Sequence, residues 1–177
     1  MSYPVFASGD VLNASDMNGV GLWLVKSQAV GTTVTSVPVT DAFSANYDNY
    51  FITYNGATTA SGESLRLQLG ATTTGYYGNL IYANYTSGAP ASIGDNNGAV
   101  FRHIAGGEGN STSLILWVSN PFATQRTHVF SASYRDTANA GQYNGYVANN
   151  TSYTGFTLVV PSGSITGGTI RVYGYQK

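Results

Sequence analysis

The sequence predicts an all-β chain, folded as an antiparallel β-sandwich, jelly-roll-like, with about ten strands and a short N-terminal helical turn. Three observations carry this reading. From Gly21 onward, apolar and polar residues alternate in short runs. Gly, Ser, Thr, Asn and Pro punctuate those runs at close, fairly even spacing. Almost nothing after residue 20 reads as helix.

The elements follow in order. "GLWLVKSQAV" (21–30) opens with a dense apolar run, and "TTVTSVPVT" (32–40) is β-branched, with Pro38 pointing to an edge or a strand end. "NYFITYN" (49–55) sets Tyr50, Ile52 and Tyr54 against Phe51 and Thr53. "SLRLQLG" (64–70) alternates most cleanly: Leu65, Leu67 and Leu69 share one face, Arg66 and Gln68 the other. "NLIYANYT" (79–86) and "AVFRHIA" (99–105) come next. "SLILWVS" (113–119) is apolar on both faces and reads as a central strand. "THVFSASYR" (127–135), "QYNGYVANN" (142–150), "FTLVVP" (156–161) and "GTIRVYGYQ" (168–176) complete the set. "TTASGES", "TSGAP", "GDNNG", "AGGEGNS", "TANAG" and "PSGSITGG" read as turns or loops between them. An immunoglobulin-type sandwich usually has fewer strands and a shorter chain. Segments 75–88 and 141–155 share Gly, Tyr, Ala-Asn and Thr-Ser in similar order, which reads as two similar hairpin environments.

A chain of 177 residues is long enough for one domain with its own core, needing no disulfide. It has no cysteine to make one. Only 8% of residues are charged, against roughly 25% in an average domain, and net charge is −1. Clustered Lys and Arg are missing, so neither nucleic acid nor an anionic membrane surface is an expected partner. The start, "MSYPVFASGD", lacks a basic segment followed by an apolar run, so no signal peptide is expected, and no apolar run is long enough for a membrane helix.

The opening segment differs from the rest. In "FASGDVLNASDMN" (6–18), Gly9 can supply a turn and Asn13 can cap a helix with Asp16 at its third position. Gly19 and Gly21 end it after little more than one turn. So short a helix is not stable alone in water. Packing must hold it, with Leu12, Met17 and Val20 as the contacts. Residues 1–20 therefore read as a docking segment, residues 21–177 as a single sandwich domain. Closure of one end of the sandwich is the alternative role for that segment.

"FASGDVLNASDMN" resembles a segment near the N-terminus of many tail-associated and minor structural proteins of tailed bacteriophages. "FSANYDNYFITYN" (43–55), "LRLQLGATTTGYYG" (65–78) and "GGTIRVYGYQK" (167–177) resemble segments of small phage virion proteins. The resemblance implies a non-enzymatic particle component made in the host cytoplasm and located in the virion. Its partners would be other virion proteins and copies of itself, with a trimer favoured by analogy with phage fibres. A tail fibre or tail-associated position with host-surface attachment comes first. A capsid decoration protein is the alternative, and a surface glycan hydrolase the third. Docking or oligomer contacts would fall on Phe6, Val11, Leu12, Asp16, Met17 and Val20.

The chain offers little catalytic chemistry. His103 and His128 lack metal-ligand spacing, and no G-x-S-x-G elbow occurs. Asp41, Asp48, Glu63, Asp95, Glu108 and Asp136 would have to supply any carboxylate pair for glycoside hydrolysis. No metal or cofactor is expected. Binding fits better. Tyr76, Tyr77, Tyr82, Tyr85, Tyr143, Tyr146 and Tyr153 lie among Asn, Gly and Thr, a composition suited to a host glycan or protein epitope. Plain strand surface or a subunit interface is the other reading of those tyrosines. Lys26, Arg66, Arg102 and Arg171 read as single charges that discourage unwanted edge pairing.

Overall fold

The computed structural model describes residues 8–9, 21–58, 64–107, 111–135 and 138–176. Among these, twelve strands form two antiparallel sheets, with no helix. In chain order they are β1 (Leu22–Ala29), β2 (Ser36–Val39), β3 (Tyr47–Thr58), β4 (Ser64–Leu69), β5 (Tyr76–Asn84) and β6 (Pro90–Gly98). Then come β7 (Phe101–Gly106), β8 (Thr112–Ser119), β9 (His128–Arg135), β10 (Asn139–Val147), β11 (Phe156–Val159) and β12 (Ile165–Gln176).

The larger sheet has the order β1-β12-β3-β8-β9-β10-β5-β6, the smaller β2-β11-β4-β7. Removing β5, β6, β9 and β10 leaves two four-stranded sheets, β1-β12-β3-β8 and β2-β11-β4-β7. In them β1 pairs with β12, β2 with β11, β3 with β8 and β4 with β7. That nested pairing of first strand with last is the jelly roll. The remaining four strands are two inserted hairpins, β5–β6 and β9–β10, which widen the larger sheet beyond β8.

Local sequence explains most of these elements. Leu65, Leu67 and Leu69 are all fully buried, as their alternation requires. Pro38 lies in β2, an edge strand, where a missing N–H costs no ladder bond. β6 is the strand that "TSGAP" and "GDNNG" concealed. Its Pro, Gly and Asn content argues for turns, but pairing along β5 makes it an edge strand, where propensity is weakest as a guide. Segments 75–88 and 141–155 are not two similar hairpins: the first runs from β5 into its turn toward β6, the second leaves β10 for β11 in the other sheet, though β5 and β10 pair with Tyr77 opposite Tyr146.

The core is unusually phenolic. Tyr50, Tyr54, Tyr76 and Tyr143 are its largest fully buried side chains, beside Phe101, Ile52, Ile104 and Leu116. Each of these four phenol hydroxyls has a partner, as burial favours. Tyr50 donates to the Ser44 carbonyl at 3.0 Å and accepts from the Ser44 N–H at 2.8 Å. Tyr54 donates to the Gly167 carbonyl at 3.0 Å. Tyr76 accepts from the Leu69 N–H at 2.8 Å and donates to the Thr72 carbonyl at 3.2 Å. The tyrosines thus fill the sandwich and tie its loops at their polar tips. Burial pushes the Tyr54 phenol up to about 12 and those of Tyr76 and Tyr143 further.

Ser8 and Gly9 form a turn, with Gly9 at φ 102°. The helical turn after it and the docking contacts at Phe6, Val11, Leu12, Asp16, Met17 and Val20 lie outside the described residues.

Candidate functional site

Two groups of side chains stand out, one inside the sandwich and one on its surface. The inner group begins at Asp95 on β6, whose side chain is fully buried. Tyr143 on β10 donates to its Oδ2 at 2.9 Å, and Arg102 on β7 meets its Oδ1 at 3.3 Å. His103, also on β7, packs its ring 6.2 Å from that of Tyr143. Its Nδ1 lies 3.1 Å from Ser64 Oγ on β4. Ser, His and Asp are therefore near one another, but not as a catalytic triad. The Asp95 carboxylate is engaged by Tyr143 and Arg102, and no hydrogen bond joins it to the imidazole. His103 Nε2 is buried without a partner among the described residues. Burial holds its pKa below the ordinary histidine value, with Asp95 opposing and Arg102 and Arg66 adding.

His128 lies on the other side of the larger sheet, its ring 5.9 Å from that of Tyr146. The two histidines thus face opposite ways, and no group of three metal-ligating side chains occurs among the described residues. Glu63, Glu108 and Asp136 lie outside the described residues.

The surface group is the outer face of the eight-stranded sheet. One cross-strand row runs over its whole width. Leu24 on β1 stands opposite Tyr173, Tyr173 opposite Phe51, Phe51 opposite Trp117 and Trp117 opposite Phe130. The row continues through Asn144 and Asn79 to Gly94 on β6. Its aromatic part is in mutual contact: ring centres lie 6.3 Å apart for Tyr173 and Phe51, 5.1 Å for Phe51 and Trp117, and 5.5 Å for Trp117 and Phe130. Yet it faces out. Leu24 is 56% exposed and Trp117 37%, and Leu22 and Ile115 beside them are exposed too. The two apolar faces of "SLILWVS" point to a central strand. β8 is central, but among the described residues nothing covers its outer face. Contiguous exposed apolar patches are uncommon on soluble monomeric proteins.

At β8 the character of the row changes. Trp117 and Phe130 form one side of an open depression of about 610 Å³, and Tyr77 and Tyr146 stand on the other. These two tyrosine rings are stacked, 5.2 Å between centres and 12° between planes. The guanidinium of Arg126 lies 5.4 Å from the Tyr146 ring centre, a cation–π contact. The amides of Asn144 and Asn79 lie in the depression, on adjacent strands. Neither amide makes a hydrogen bond with another described residue. Every lining residue but Trp117 and Ser119 belongs to the inserted hairpins or to the approach to them.

The seven tyrosines named from the sequence divide accordingly. Tyr77 and Tyr146 line the depression, and Tyr85 is exposed beyond the end of β5. Tyr82 is half-buried against the core. Tyr76, Tyr143 and Tyr153 are buried and cannot meet a ligand, which corrects the contact expected of them. Their inward strand faces are the reason for two of them, while the Tyr153 hydroxyl bonds to Asn149 and Thr72. Trp117, Phe130, Asn79 and Asn144 were not singled out from sequence. The double-faced apolarity of "SLILWVS" was the available signal for Trp117. Arg102, expected to guard a strand edge, is engaged by Asp95.

No protein family and no curated protein matches the chain. Among solved structures, the VP2 subviral particle of infectious bursal disease virus is 11% identical, with a TM-score of 0.15. The match covers 89% of this chain and 38% of that one. A structure of the Gt strain of the same virus is 9% identical, with a TM-score of 0.14, and covers 88% of this chain and 38% of that one. This chain thus spans well under half the length of either. A likeness at this level carries no argument about function.

Proposed function

We propose that this chain is a non-enzymatic structural protein of a bacteriophage particle, tail-associated, that assembles with virion partners and attaches to the host surface. The observation that carries the reading is the uncovered row from Leu24 to Phe130. A jelly roll that leaves five apolar side chains in register on its outer face has a surface made for another protein. The resemblance of "FASGDVLNASDMN" to phage tail segments supplies the setting. The low charge and the absence of a triad geometry at Ser64, His103 and Asp95 agree with a role in contact rather than catalysis.

Assembly uses the apolar half of the face, on β1, β12, β3 and β8, with a homotrimer as the favoured unit. Attachment uses the half built by the inserted hairpins. A decoration protein on the capsid exterior is the second reading. It is favoured by the same apolar row, which would serve equally for docking on a shell.

Mass spectrometry of purified particles of the encoding phage tests the assignment, together with adsorption competition by the isolated protein. The expected result is chain peptides at several copies per particle and saturable block of adsorption. Particles free of the chain sink the proposal. Particles that contain it, with adsorption untouched, leave the decoration reading in place of attachment.

A further inference from the structure

We infer that the depression between Trp117–Phe130 and Tyr77–Tyr146 is a binding site for a neutral oligosaccharide, an inference that rests on the attachment reading and names its ligand. The first argument is chemical. A pyranose ring has apolar C–H faces and a rim of hydroxyls. Aromatic side chains offer the apolar contact, and an amide both donates and accepts, as a hydroxyl does. Here aromatic rings stand on both sides and two amides lie between them. Asn144 and Asn79 face each other on paired strands, so both can reach hydroxyls of one ligand.

The second argument is size. From Trp117 on β8 to Asn79 on β5 is three strand spacings, or roughly 14 Å. That length suits a short run of sugars.

The third is charge. The lining offers no unpaired carboxylate to a basic sugar and no lysine or arginine to an acidic one. Its one carboxylate, Asp95, is taken by Tyr143 and Arg102.

A peptide is disfavoured by the backbone. Extended peptides commonly bind by adding a strand to a free sheet edge. The depression lies over β9, β10 and β5, each already paired on both sides. Recognition there must go through side chains.

The test uses the full chain on a printed array of neutral and charged bacterial polysaccharide fragments. The strongest ligand is then titrated by calorimetry against Asn79→Ala, Asn144→Ala and, as a control in an exposed loop outside both surfaces, Ser162→Ala. The expected result is binding to neutral fragments, at least tenfold weaker for each asparagine variant and unchanged for Ser162→Ala. Both asparagines are exposed, and unchanged melting of the variants excludes misfolding. Binding to charged fragments alone overturns the inference, as does wild-type affinity in both asparagine variants. No glycan binding by a chain that still blocks phage adsorption overturns this inference and leaves the attachment reading intact. No glycan binding and no block of adsorption removes both.

Discussion

The Tyr143 hydroxyl donates to the buried Asp95 carboxylate at 2.9 Å, reaching from β10 across β5 to β6. Gly78 on β5 makes this possible, because the hydroxyl end of Tyr143 lies where a Cβ on Gly78 would be. Arg102 holds the other carboxylate oxygen from β7, in the opposite sheet. Three strands that are not neighbours in one ladder are therefore fastened at one point. Two of them, β6 and β10, belong to the inserted hairpins, and the third to the jelly roll. The fastening supports the sheet that carries Asn79, Asn144, Tyr77 and Tyr146.

Tyr143→Phe removes a buried hydrogen bond to a carboxylate and is expected to cost about 2 kcal/mol of stability. The loss should shrink in an Asp95→Ala background, since the two side chains form one interaction. Chemical denaturation of the four variants in the double-mutant cycle measures it. Equal losses in both backgrounds would mean that the bond contributes nothing of its own.

His103 gives the fold an acid limb. Its folded pKa lies below the ordinary value because the ring is buried. The unfolded chain then takes up its proton first as pH falls. The stability this residue contributes is complete above about 6.5, the unfolded value, and is lost as pH falls from there toward the lower folded value. Melting temperature between pH 7 and pH 5 should decline for the wild type and decline less for His103→Gln. An identical slope in the variant would falsify the assignment.

The apolar row should govern assembly. Ile115 is exposed beside Trp117 on the face assigned to the subunit contact. Ile115→Asp puts a charge there and should weaken self-association at least tenfold, with an unchanged melting curve at monomer concentrations. Light scattering across a concentration series reads this directly. A wild type that stays monomeric throughout contradicts the trimer, and an unmoved equilibrium in the variant contradicts this face as its contact.

Deleting residues 1–20 should leave a sandwich that unfolds in a single cooperative transition, because the described core begins at β1 and draws its contacts from strands after it. The truncated protein should no longer join the particle. Loss of the cooperative transition would make the segment part of the core and end its role as an anchor.

The sequence made strands legible where alternation was strict. Leu65, Leu67 and Leu69 announce an inward face without any structure, and Pro38 announces an edge. β6 was hidden because "PASIGDNNG" has the composition of a turn, and only its pairing with β5 makes it a strand. The tyrosines divided poorly for a related reason. Tyr76 and Tyr77 are adjacent and so face opposite ways, and nothing local says which of them meets the core. In "GQYNGY" the clue was present. Gly141 and Gly145 share the face of Tyr143, and a Cβ at Gly145 would meet the Phe101 ring at 3.1 Å. Small residues flanking a large one mark the crowded side. The row from Leu24 to Gly94 could not be read at all, since it exists only through the register of eight strands, most of them distant in sequence.

Cryo-electron microscopy of intact particles of the encoding phage tests the central claim most directly. Density for the two-sheet domain is expected in the tail, with the outer face of the larger sheet seated against a neighbouring subunit between Leu24 and Trp117. Particles without the domain, or a domain whose larger sheet shows that half of its face bare to solvent, would contradict it.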